Sequence, residues 1–595
     1  MSQTANVSLL PEGKNNLLSK SFISLCLTQF LTGINDNTFR WLVIGIGKQY
    51  VDFRQDQIWG LSQSWVLGLG LICFVTPYII LATHAGYVSD RFSKRRVIVA
   101  CKIAEIAIML MGSLAIFLES PLFIFISLTL MGAQSAMFYP AKMGAIPEIV
   151  KSSKLSPANG YYNMMTVVGT LGGMFLGGYL ADFYSGENGD FLLHSTLSAG
   201  SSHPVFLIGQ VVVGVALTGT VISLGIDPLQ IANKNRVFPI NLVKSMCNDL
   251  KILHSNRALF RIAIGIMFFW AVSAVAQNNI DQFVVEAGSG SETDRTPFLV
   301  VVVLGICVGS VLAGLMSGER VELGILPVGA FGIAISTMLL FTVDSTIFDK
   351  TKLGIAVQDQ IVNGQDRVVR VMKLAKDSPA STAGFQLNDQ ILLVDDDPVT
   401  TRDVFNERIE GEQTGNATLI ETATVAVTVR RQTLNSQSKD SFEEVVLEVG
   451  LAPSSEIQWE YFIACVLLAG VGFSAGLFEV PLTAFLQHRS PREHLGAILA
   501  ATNLLTFFGM LIMNGMFMAM RVETETGAPF FSARDIFLTL GILTIPIAIY
   551  IVVLIPSVTI KFVVWTLSKT VYRVRMKGLK NLPETGGALL VPNHV

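Results

Sequence analysis

Asp36 lies inside the first long apolar stretch of the chain, between Asn35 and Asn37. A carboxylate inside a membrane costs at least about 2.5 kcal/mol even on a lenient insertion scale, so such residues usually face a cavity and have a function. Arg40 follows four residues later and would share a helix face with Asp36, where the two can pair. The pattern predicts that Asp36 couples H⁺ or Na⁺ to the movement of a substrate, or holds a zwitterionic headgroup. A structural ion pair near a helix end is the alternative.

Polar side chains also interrupt two later apolar stretches. Gln277, Asn278 and Asp281 follow an aromatic run in one of them, together with Asn279. Such a cluster in a membrane segment lines a cavity more often than it faces lipid. Glu479 is a further carboxylate inside another stretch. We place these residues, like those of the first stretch, along a path for substrate or ions.

The elements that must position these residues are membrane helices. Of the 595 residues, 51% are hydrophobic and 15% are charged, whereas soluble domains carry about 25% charged residues. Apolar stretches of the length that a bilayer requires recur along the chain. We predict twelve spans, near residues 21–46, 61–84, 97–118, 121–139, 160–182, 203–227, 259–287, 296–318, 324–343, 459–487, 497–519 and 535–556.

Basic residues predict the orientation of these spans. They are concentrated in alternate loops, at 91–96, 151–154, 234–251 and 489–492, whereas the opposite short loops hold few. The positive-inside rule then places both termini in the cytoplasm, as an even number of spans requires. We expect no cleaved signal peptide, no metal site or disulfide framework, no cofactor and no nucleic-acid partner.

One soluble domain interrupts the predicted spans, because hydropathy falls sharply over residues 345–452. Alternating patterns predict strands at 353–359, 367–373, 390–395 and 423–430 and a helix at 401–409. Leu353, Gly354 and Ile355, together with the segment 377–399, resemble a PDZ domain of the periplasmic protease type. The predicted orientation places this small α+β insert in the periplasm.

The PDZ resemblance implies a function for the insert. PDZ domains bind an extended C-terminal peptide as an added strand, and the Gly354 loop would receive the carboxylate. The expected partner is therefore the C-terminus of a periplasmic peptide or protein. An insert that binds nothing is the alternative, and no Ser-His-Asp constellation indicates a protease.

A charged loop joins the second and third predicted spans. It contains Gly86, Asp90, Arg91, Arg95 and Arg96 and resembles the G-x-x-x-D-R-x-G-R-R/K loop of the major facilitator superfamily. The resemblance implies an all-α membrane protein with twelve transmembrane helices in two six-helix bundles. It also implies that Asp90 and the arginines form a charge relay that latches the cytoplasmic side. Simple anchoring in the cytoplasm is the alternative.

Further motifs resemble one branch of this superfamily, the bacterial lysophospholipid transporters. They are P-A-K-x-G at 140–144, L-S-P-A-N-G at 155–160, L-Q-H-R-S-P at 486–491 and the N-D-N of the first span. The resemblance implies uptake of lysophospholipid, with lysophosphatidylethanolamine favoured, toward the cytoplasm by alternating access. It assigns Asp36 and Lys142 to the substrate path. Lys142 is a point charge suited to a lipid phosphate, or alternatively an ordinary basic residue.

The segment 577–595 resembles the opening of a glycerolipid acyltransferase domain. A strand-like run at 588–591 leads to Asn593 and His594, where that family has a His-x-x-x-x-Asp motif. The Asp position is not reached, so we expect no catalytic residue and no enzyme activity in this chain as it stands. Two alternatives to lysophospholipid transport stay open. They are a facilitator-type exporter of another amphiphile or drug, and a membrane-anchored acyltransferase whose catalytic part is missing.

These interpretations divide the chain into six parts. They are an N-terminal six-helix bundle (1–227), a cytoplasmic inter-bundle loop (228–258), the first part of the C-terminal bundle (259–344), the PDZ-like insert (345–452), the rest of that bundle (453–556) and the truncated acyltransferase start (557–595). The expected location is the bacterial inner membrane. The expected partners are lysophospholipid, membrane lipids, the peptide of the insert and a fused or separate acyltransferase.

Overall fold

The computed structural model describes most of the chain. The described residues are 16–54, 63–118, 120–185, 204–287, 292–317, 322–343, 353–362, 366–374, 378–415, 424–433, 441–450, 459–522 and 529–570. The predicted acyltransferase motif at 577–595 lies outside them. So do residues 318–321, which belong to the loop at the end of the eighth predicted span.

The helices account for most of the described residues. In chain order they are α1 (Lys20–Arg54), α2 (Gln63–Ile80), α3 (Ala82–Arg91), α4 (Lys94–Phe117), α5 (Pro121–Ile149), α6 (Leu155–Ser185), α7 (Pro204–Ser223), α8 (Leu242–Ser255), α9 (Arg257–Glu286), α10 (Glu292–Met316), α11 (Leu326–Leu340), α12 (Pro379–Ala383), α13 (Arg402–Gly415), α14 (Trp459–Arg489), α15 (Leu495–Met520), α16 (Ala533–Leu554) and α17 (Pro556–Thr570). The strands are β1 (Ile355–Val362), β2 (Asp366–Leu374), β3 (Gln390–Val394), β4 (Asp397–Pro398), β5 (Thr424–Thr433) and β6 (Ser441–Gly450).

Most of the predicted spans are long apolar helices. Within the described ranges, nine helices are long and apolar enough to cross a membrane, and α2 with α3 forms a tenth if this pair, bent by 55°, is one span. The predicted spans 21–46 and 203–227 are also helical, as α1 and α7. These two helices are not long and apolar enough to count among the nine. In α1 the cause is its polar content, which includes Asp36 and Arg40. A mostly helical membrane fold is confirmed, and twelve spans stay a prediction.

Glycines allow the helices within each half to approach closely. A Cβ built on Gly169 of α6 would lie only 2.5 Å from the carbonyl oxygen of Phe30 in α1. Gly169 is the first of three glycines spaced by four along α6, and the other two also face α1. Gly309 of α10 has the same function in the second half, against the backbone of Phe473 in α14. Small residues therefore allow close helix contact here, as they do in other membrane bundles.

The insert folds around a six-stranded antiparallel sheet. The strand order is β1-β2-β3-β5-β6, with β4 paired to β3. The four predicted strands and the predicted helix are present, although the helix extends to Gly415. Strand β6, which pairs with β5 along its whole length, is not predicted from the sequence pattern. Glu443 and Glu444 are adjacent in this edge strand and interrupt the apolar alternation from which strands are predicted.

Candidate functional site

A cavity of about 210 Å³ lies where the two halves of the helical body face each other. Helices α1, α2, α5 and α6 form one wall, and α9, α14 and α15 form the other. The polar and aromatic lining comprises Gln29, Tyr78, Tyr139, Lys142, Asn159, Tyr162, Asn163, Thr166, Trp270, Glu479, Thr483, Asn503, Thr506 and Phe507. A ligand held here would contact both halves and would meet hydrogen-bonding groups from each of them.

Lys142 supplies a positive charge to this cavity from α5. Its Nζ donates a hydrogen bond to Gln29 Oε1 at 2.9 Å, and the Tyr162 hydroxyl donates to the same oxygen at 2.9 Å. The ammonium also lies 4.9 Å from the centre of the Phe138 ring. No carboxylate of the described residues lies within 4.0 Å of Lys142. The ammonium has three donors, so two of them are free for an anionic ligand.

Glu479 supplies a negative charge from the opposite wall. It lies in the middle of α14, and its side chain is only 8% exposed. Within the described part of the chain, its carboxylate accepts no hydrogen bond and pairs with no cation. A buried charge without a partner is costly, so this position favours a cationic ligand group or a proton. Lys142 and Glu479 are both candidates from the sequence, and the structure brings them into one cavity.

Asp36 lies beside this cavity and does not line it. Its Oδ2 accepts a hydrogen bond from Ser135 Oγ of α5 at 2.6 Å. Its Oδ1 is buried and has no partner among the described side chains. Asp36 is thus a buried carboxylate in which one oxygen is satisfied and the other is available.

The structure shows no ion pair between Asp36 and Arg40, both of which it describes, although their spacing permits one. Arg40 Nη2 instead donates to Asn37 Oδ1 at 2.9 Å, and the guanidinium lies 5.6 Å from the centre of the Phe74 ring. The spacing of four does place both residues toward one side of α1. The carboxylate is engaged by Ser135, however, and the arginine by its own helix and by α2.

A buried ion pair that the sequence analysis missed lies close to Asp36. Lys102 Nζ and Glu105 Oε2 of α4 are 2.6 Å apart, and both side chains are fully buried. Asn35 Nδ2 donates to Glu105 Oε1 at 2.8 Å, and Lys102 also donates to Thr32 Oγ1 at 3.1 Å. Both charges stand inside the predicted span 97–118, so the rule that selected Asp36 could have found them.

The polar cluster of the seventh predicted span is dispersed in the structure. Asn279 is buried and donates to the carbonyl oxygen of Ala533 at 2.7 Å, which ties α9 to α16. Asn278 is exposed and donates to Asn514 Oδ1 of α15 at 2.7 Å. Gln277 is exposed and Asp281 is half-buried. None of the four is among the described residues that line the central cavity, and Asn278 and Asn279 make helix-to-helix contacts instead.

Asp90 joins the two halves at the end of the helices that carries the basic loops, here called the basic end. Its Oδ1 accepts from the backbone N–H of Gly496 at 2.7 Å, and its Oδ2 accepts from that of Ala497 at 3.2 Å. These N–H groups belong to the first turn of α15, where a helix favours negative charge. Gly86 allows this docking, because its Cβ would lie 3.0 Å from the carbonyl oxygen of Gly496.

The cationic partner of Asp90 comes from the segment between the halves. Arg236 Nη1 lies 2.5 Å from Asp90 Oδ2, and Arg236 Nη2 lies 3.1 Å from Asp249 Oδ1 of α8. The predicted charge relay assigned this position to Arg91, Arg95 and Arg96. We call the group Asp90, Arg236 and Asp249 the basic-end clamp.

The three loop arginines lie elsewhere. Arg95 donates to the carbonyl oxygen of Leu224 at 3.1 Å, Arg91 is half-buried, and Arg96 is exposed on α4. Lys94 is the buried cation of this loop, and its Nζ lies 2.6 Å from Glu148 Oε1. Asp90 and Gly86 thus lie in contacts between the two halves, and Arg236 pairs with Asp90 in place of the three loop arginines. Their gating role stays a prediction.

Further contacts close the basic end. Ser156 Oγ of α6 donates to Ser317 Oγ, next to α10, at 2.8 Å. Asn159 Nδ2 donates to Gln487 Oε1 of α14 at 2.7 Å, and Gln487 Nε2 donates to the carbonyl oxygen of Met143 at 3.1 Å. These bonds join opposite halves between the cavity and the basic end, so this form of the molecule is closed on that side.

The PDZ peptide loop is also described. Leu353 is fully buried, Gly354 has a φ of 77°, and Ile355 begins β1. This left-handed backbone favours glycine. β1 is the first strand in the sheet order, so one of its edges is not paired within the described sheet. The position is the one at which a PDZ domain adds a peptide strand.

The helical body, its central cavity and its clamp between two halves define a multi-pass membrane transporter. The chain belongs to the Major Facilitator Superfamily, whose family model matches residues 25–357. A model of the PDZ domain matches residues 351–438, so the identity of the insert is confirmed as well.

Similar proteins of known name are bacterial lysophospholipid transporters. The chain is 34% identical to the one of Serratia proteamaculans over 169 residues, which are 28% of this chain and 38% of the relative. It is 28% identical to the one of Pectobacterium carotovorum over 300 residues, which are 49% of this chain and 64% of the relative. The matched segments therefore span less than two thirds of these relatives.

Solved structures of the superfamily share the fold. The E. coli fucose:proton symporter FucP has a TM-score of 0.53 at 10% identity, over 89% of this chain and 98% of the symporter. The human organic anion transporter MFSD10 has a TM-score of 0.55 at 9% identity, over 89% of this chain and 98% of that protein. At such identities the likeness concerns the fold alone.

Proposed function

We propose that this protein transports lysophospholipid across the bacterial inner membrane by alternating access. The observation that carries the proposal is the central cavity, where one half contributes Lys142 and the other contributes Glu479. Similarity to named lysophospholipid transporters supports the same substrate class. Rigid-body rocking of two halves around a central site is the usual mechanism of such folds.

The two charges suit a zwitterionic headgroup. The phosphate would bind the two free donors of Lys142, and the ammonium of an ethanolamine headgroup would bind Glu479. A ligand of this kind neutralises both buried charges at once, so binding would offset the cost of keeping them in the cavity. We therefore propose lysophosphatidylethanolamine as the preferred substrate within the class.

Asp36 is proposed as the coupling residue. Its free Oδ1 could take up H⁺ or Na⁺, and Lys102 and Glu105 lie close enough to influence its charge. If this is right, Asp36→Asn abolishes ion dependence of uptake and leaves binding of lysophospholipid intact. Unaltered ion-dependent uptake in that variant would remove Asp36 from this role.

The proposed orientation places the basic end in the cytoplasm and the PDZ insert in the periplasm. The structure is closed at the basic end, so this form would accept substrate from the periplasmic side. Opening of the clamp would then release lysophospholipid into the cytoplasmic leaflet. A fused or separate acyltransferase would re-acylate it there.

Uptake of radiolabelled lysophosphatidylethanolamine into proteoliposomes tests the proposal. We expect wild type to accumulate the lipid and Lys142→Gln to lose at least about tenfold of the rate, because a hydrogen bond to a charged group contributes about 1.5–3 kcal/mol. Lys244→Gln, an exposed lysine of α8, serves as the matched control. No uptake by wild type, or equal uptake by the Lys142 variant, would contradict the assignment.

We further propose that the insert binds the C-terminus of a periplasmic protein. The free edge of β1 and the left-handed Gly354 support this. Fluorescent peptides with an apolar C-terminal residue should bind the full chain, and amidation of their carboxylate should abolish binding. Gly354→Val should weaken binding strongly, because valine is strained at positive φ. Equal binding of the free and amidated peptides would refute strand addition of a C-terminus.

A further inference from the structure

A second cavity lies on the outer face of the first half. It is a groove of about 530 Å³ between α3 and α4. Both helices rest on α5, which forms the floor with Leu130, Ala133 and Met137, whereas α3 and the turn after it contribute Val88 and Phe92. Leu130 and Phe92 are exposed, so the groove opens toward the membrane. Its lining residues are all different from those of the central cavity.

The face of α4 along this groove has the dimensions of one acyl chain. Arg96, Ala100, Ala104 and Ile108 recur at every fourth position and therefore share that face. The two alanines leave the space that larger side chains would fill. From first to last, this face measures about 18 Å at about 1.5 Å per residue. One leaflet of the hydrocarbon core is about 15 Å deep, half of about 30 Å.

Arg96 places a positive charge at the basic end of the groove. Its neighbours are engaged, since Lys94 pairs with Glu148 and Arg95 donates to Leu224. Arg96 is exposed and makes no hydrogen bond or ion pair with any residue that the structure describes. A guanidinium at the membrane surface matches the phosphate of a lipid headgroup in charge and in geometry.

We propose that this groove binds one anionic membrane phospholipid, with an acyl chain along α4 and the phosphate on Arg96. The lipid would come from the leaflet at the basic end. One wall of the groove is α3, which carries Asp90 of the basic-end clamp. A bound chain would therefore support α3 in its docked position against α15. This inference concerns a lipid that stays bound, and it does not depend on which substrate the central cavity transports.

Native mass spectrometry of the purified full chain tests the proposal. Delipidated protein in detergent is titrated with dioleoylphosphatidylglycerol, and the bound lipids are counted. We expect one lipid to bind wild type more tightly than all later ones. Arg96→Gln should weaken that first binding about fivefold, the contribution of one basic residue near a membrane surface. Ala104→Leu should remove it, because the added side chain fills the groove.

Matched variants separate this site from general lipid binding. Ala107→Leu changes an exposed alanine of the same helix that does not line the groove, and Lys244→Gln removes an exposed charge at the same end. Both should bind the first lipid as wild type does. Thermal unfolding without added lipid shows whether each variant is folded. If Ala104→Leu does not fold, Arg96→Gln alone is enough to test the proposal. Equal first-lipid affinity in wild type and Arg96→Gln would mean annular lipid only and would overturn the proposal.

Discussion

At the residue scale, the two charges of the central cavity, Lys142 and Glu479, have no opposite charge within ion-pair distance among the described residues. Glu479 has no protein partner among the described residues, whereas Glu105 is paired with Lys102. We predict that Glu479→Gln lowers the preference for lysophosphatidylethanolamine over lysophosphatidylglycerol by about tenfold, since a charged hydrogen bond contributes about 1.5–3 kcal/mol. Competitive uptake of the two lipids measures this ratio. Glu479→Asp keeps the charge and should retain most of the preference, and an unchanged ratio in both variants would exclude ammonium recognition by Glu479.

The pair Lys102 and Glu105 gives a stability prediction. Removal of one partner of a buried ion pair leaves an uncompensated charge and typically costs about 3–5 kcal/mol. Lys102→Met should therefore lower the thermal unfolding temperature in detergent markedly. Because the double variant Lys102→Met, Glu105→Leu removes both charges of this pair, it should recover most of the loss. A double variant as unstable as the single one would show that the pair itself, and not the orphaned charge, carries the stability.

The sequence predicts the residues of the site better than their contacts. Asp36, Lys142 and Glu479 stand out because a charge in an apolar stretch is rare at any position. Their partners depend on helix rotation and packing, which no spacing within one helix reveals. Asp36 and Arg40 illustrate this. Their spacing allows a pair within α1, but Asp36 accepts a hydrogen bond from Ser135 of α5 instead. The same rule also selects Lys102 and Glu105, which are absent from the predicted site.

At the element scale, α8 and the segment before it lie across both halves at the basic end. The distribution of basic residues predicts a loop there. It does not indicate that Arg236 contacts Asp90, because the two residues are 146 positions apart in the sequence. The membrane helices are predicted from hydropathy alone, since their apolar faces must contact lipid or each other. α1 is predicted in the same way although it carries polar residues, and these serve the interior of the first half.

The clamp should respond to pH through Asp249. Burial raises the pKa of its carboxyl group from 3.8 to about 6, against the opposing charge of Arg236 and with the added repulsion of Asp90. The folded protein therefore holds this proton more tightly than the unfolded chain. The resulting stabilisation is complete below about pH 3.8 and is lost as the pH rises through about 6.

Asp249→Asn removes this titration and keeps the shape of the side chain. We predict that the unfolding temperature of wild type, relative to that of Asp249→Asn, falls between pH 5 and pH 7. Thermal unfolding of both proteins in detergent at several pH values gives the difference, in which other titrating groups largely cancel. Parallel pH profiles for the two proteins would show that Asp249 does not titrate in this range.

At the scale of the whole molecule, the contacts between the halves described here cluster between the cavity and the basic end. Ser156 and Ser317 are one such pair, with their oxygens 2.8 Å apart across the two halves. Alternating access requires this pair to separate in every cycle. A covalent bond between these positions should therefore hold the molecule closed at the basic end and stop transport.

We predict this outcome for the double variant Ser156→Cys, Ser317→Cys, prepared with Cys247→Ser because Cys247 is exposed. Oxidation with copper phenanthroline should form the disulfide, which peptide mass spectrometry detects, and uptake in proteoliposomes should fall to background. A reducing agent should restore uptake, and each single cysteine variant should be indifferent to both treatments. If the cross-linked protein transports at the rate of its reduced form, the two halves do not need to part at the basic end, and the substrate leaves by another route.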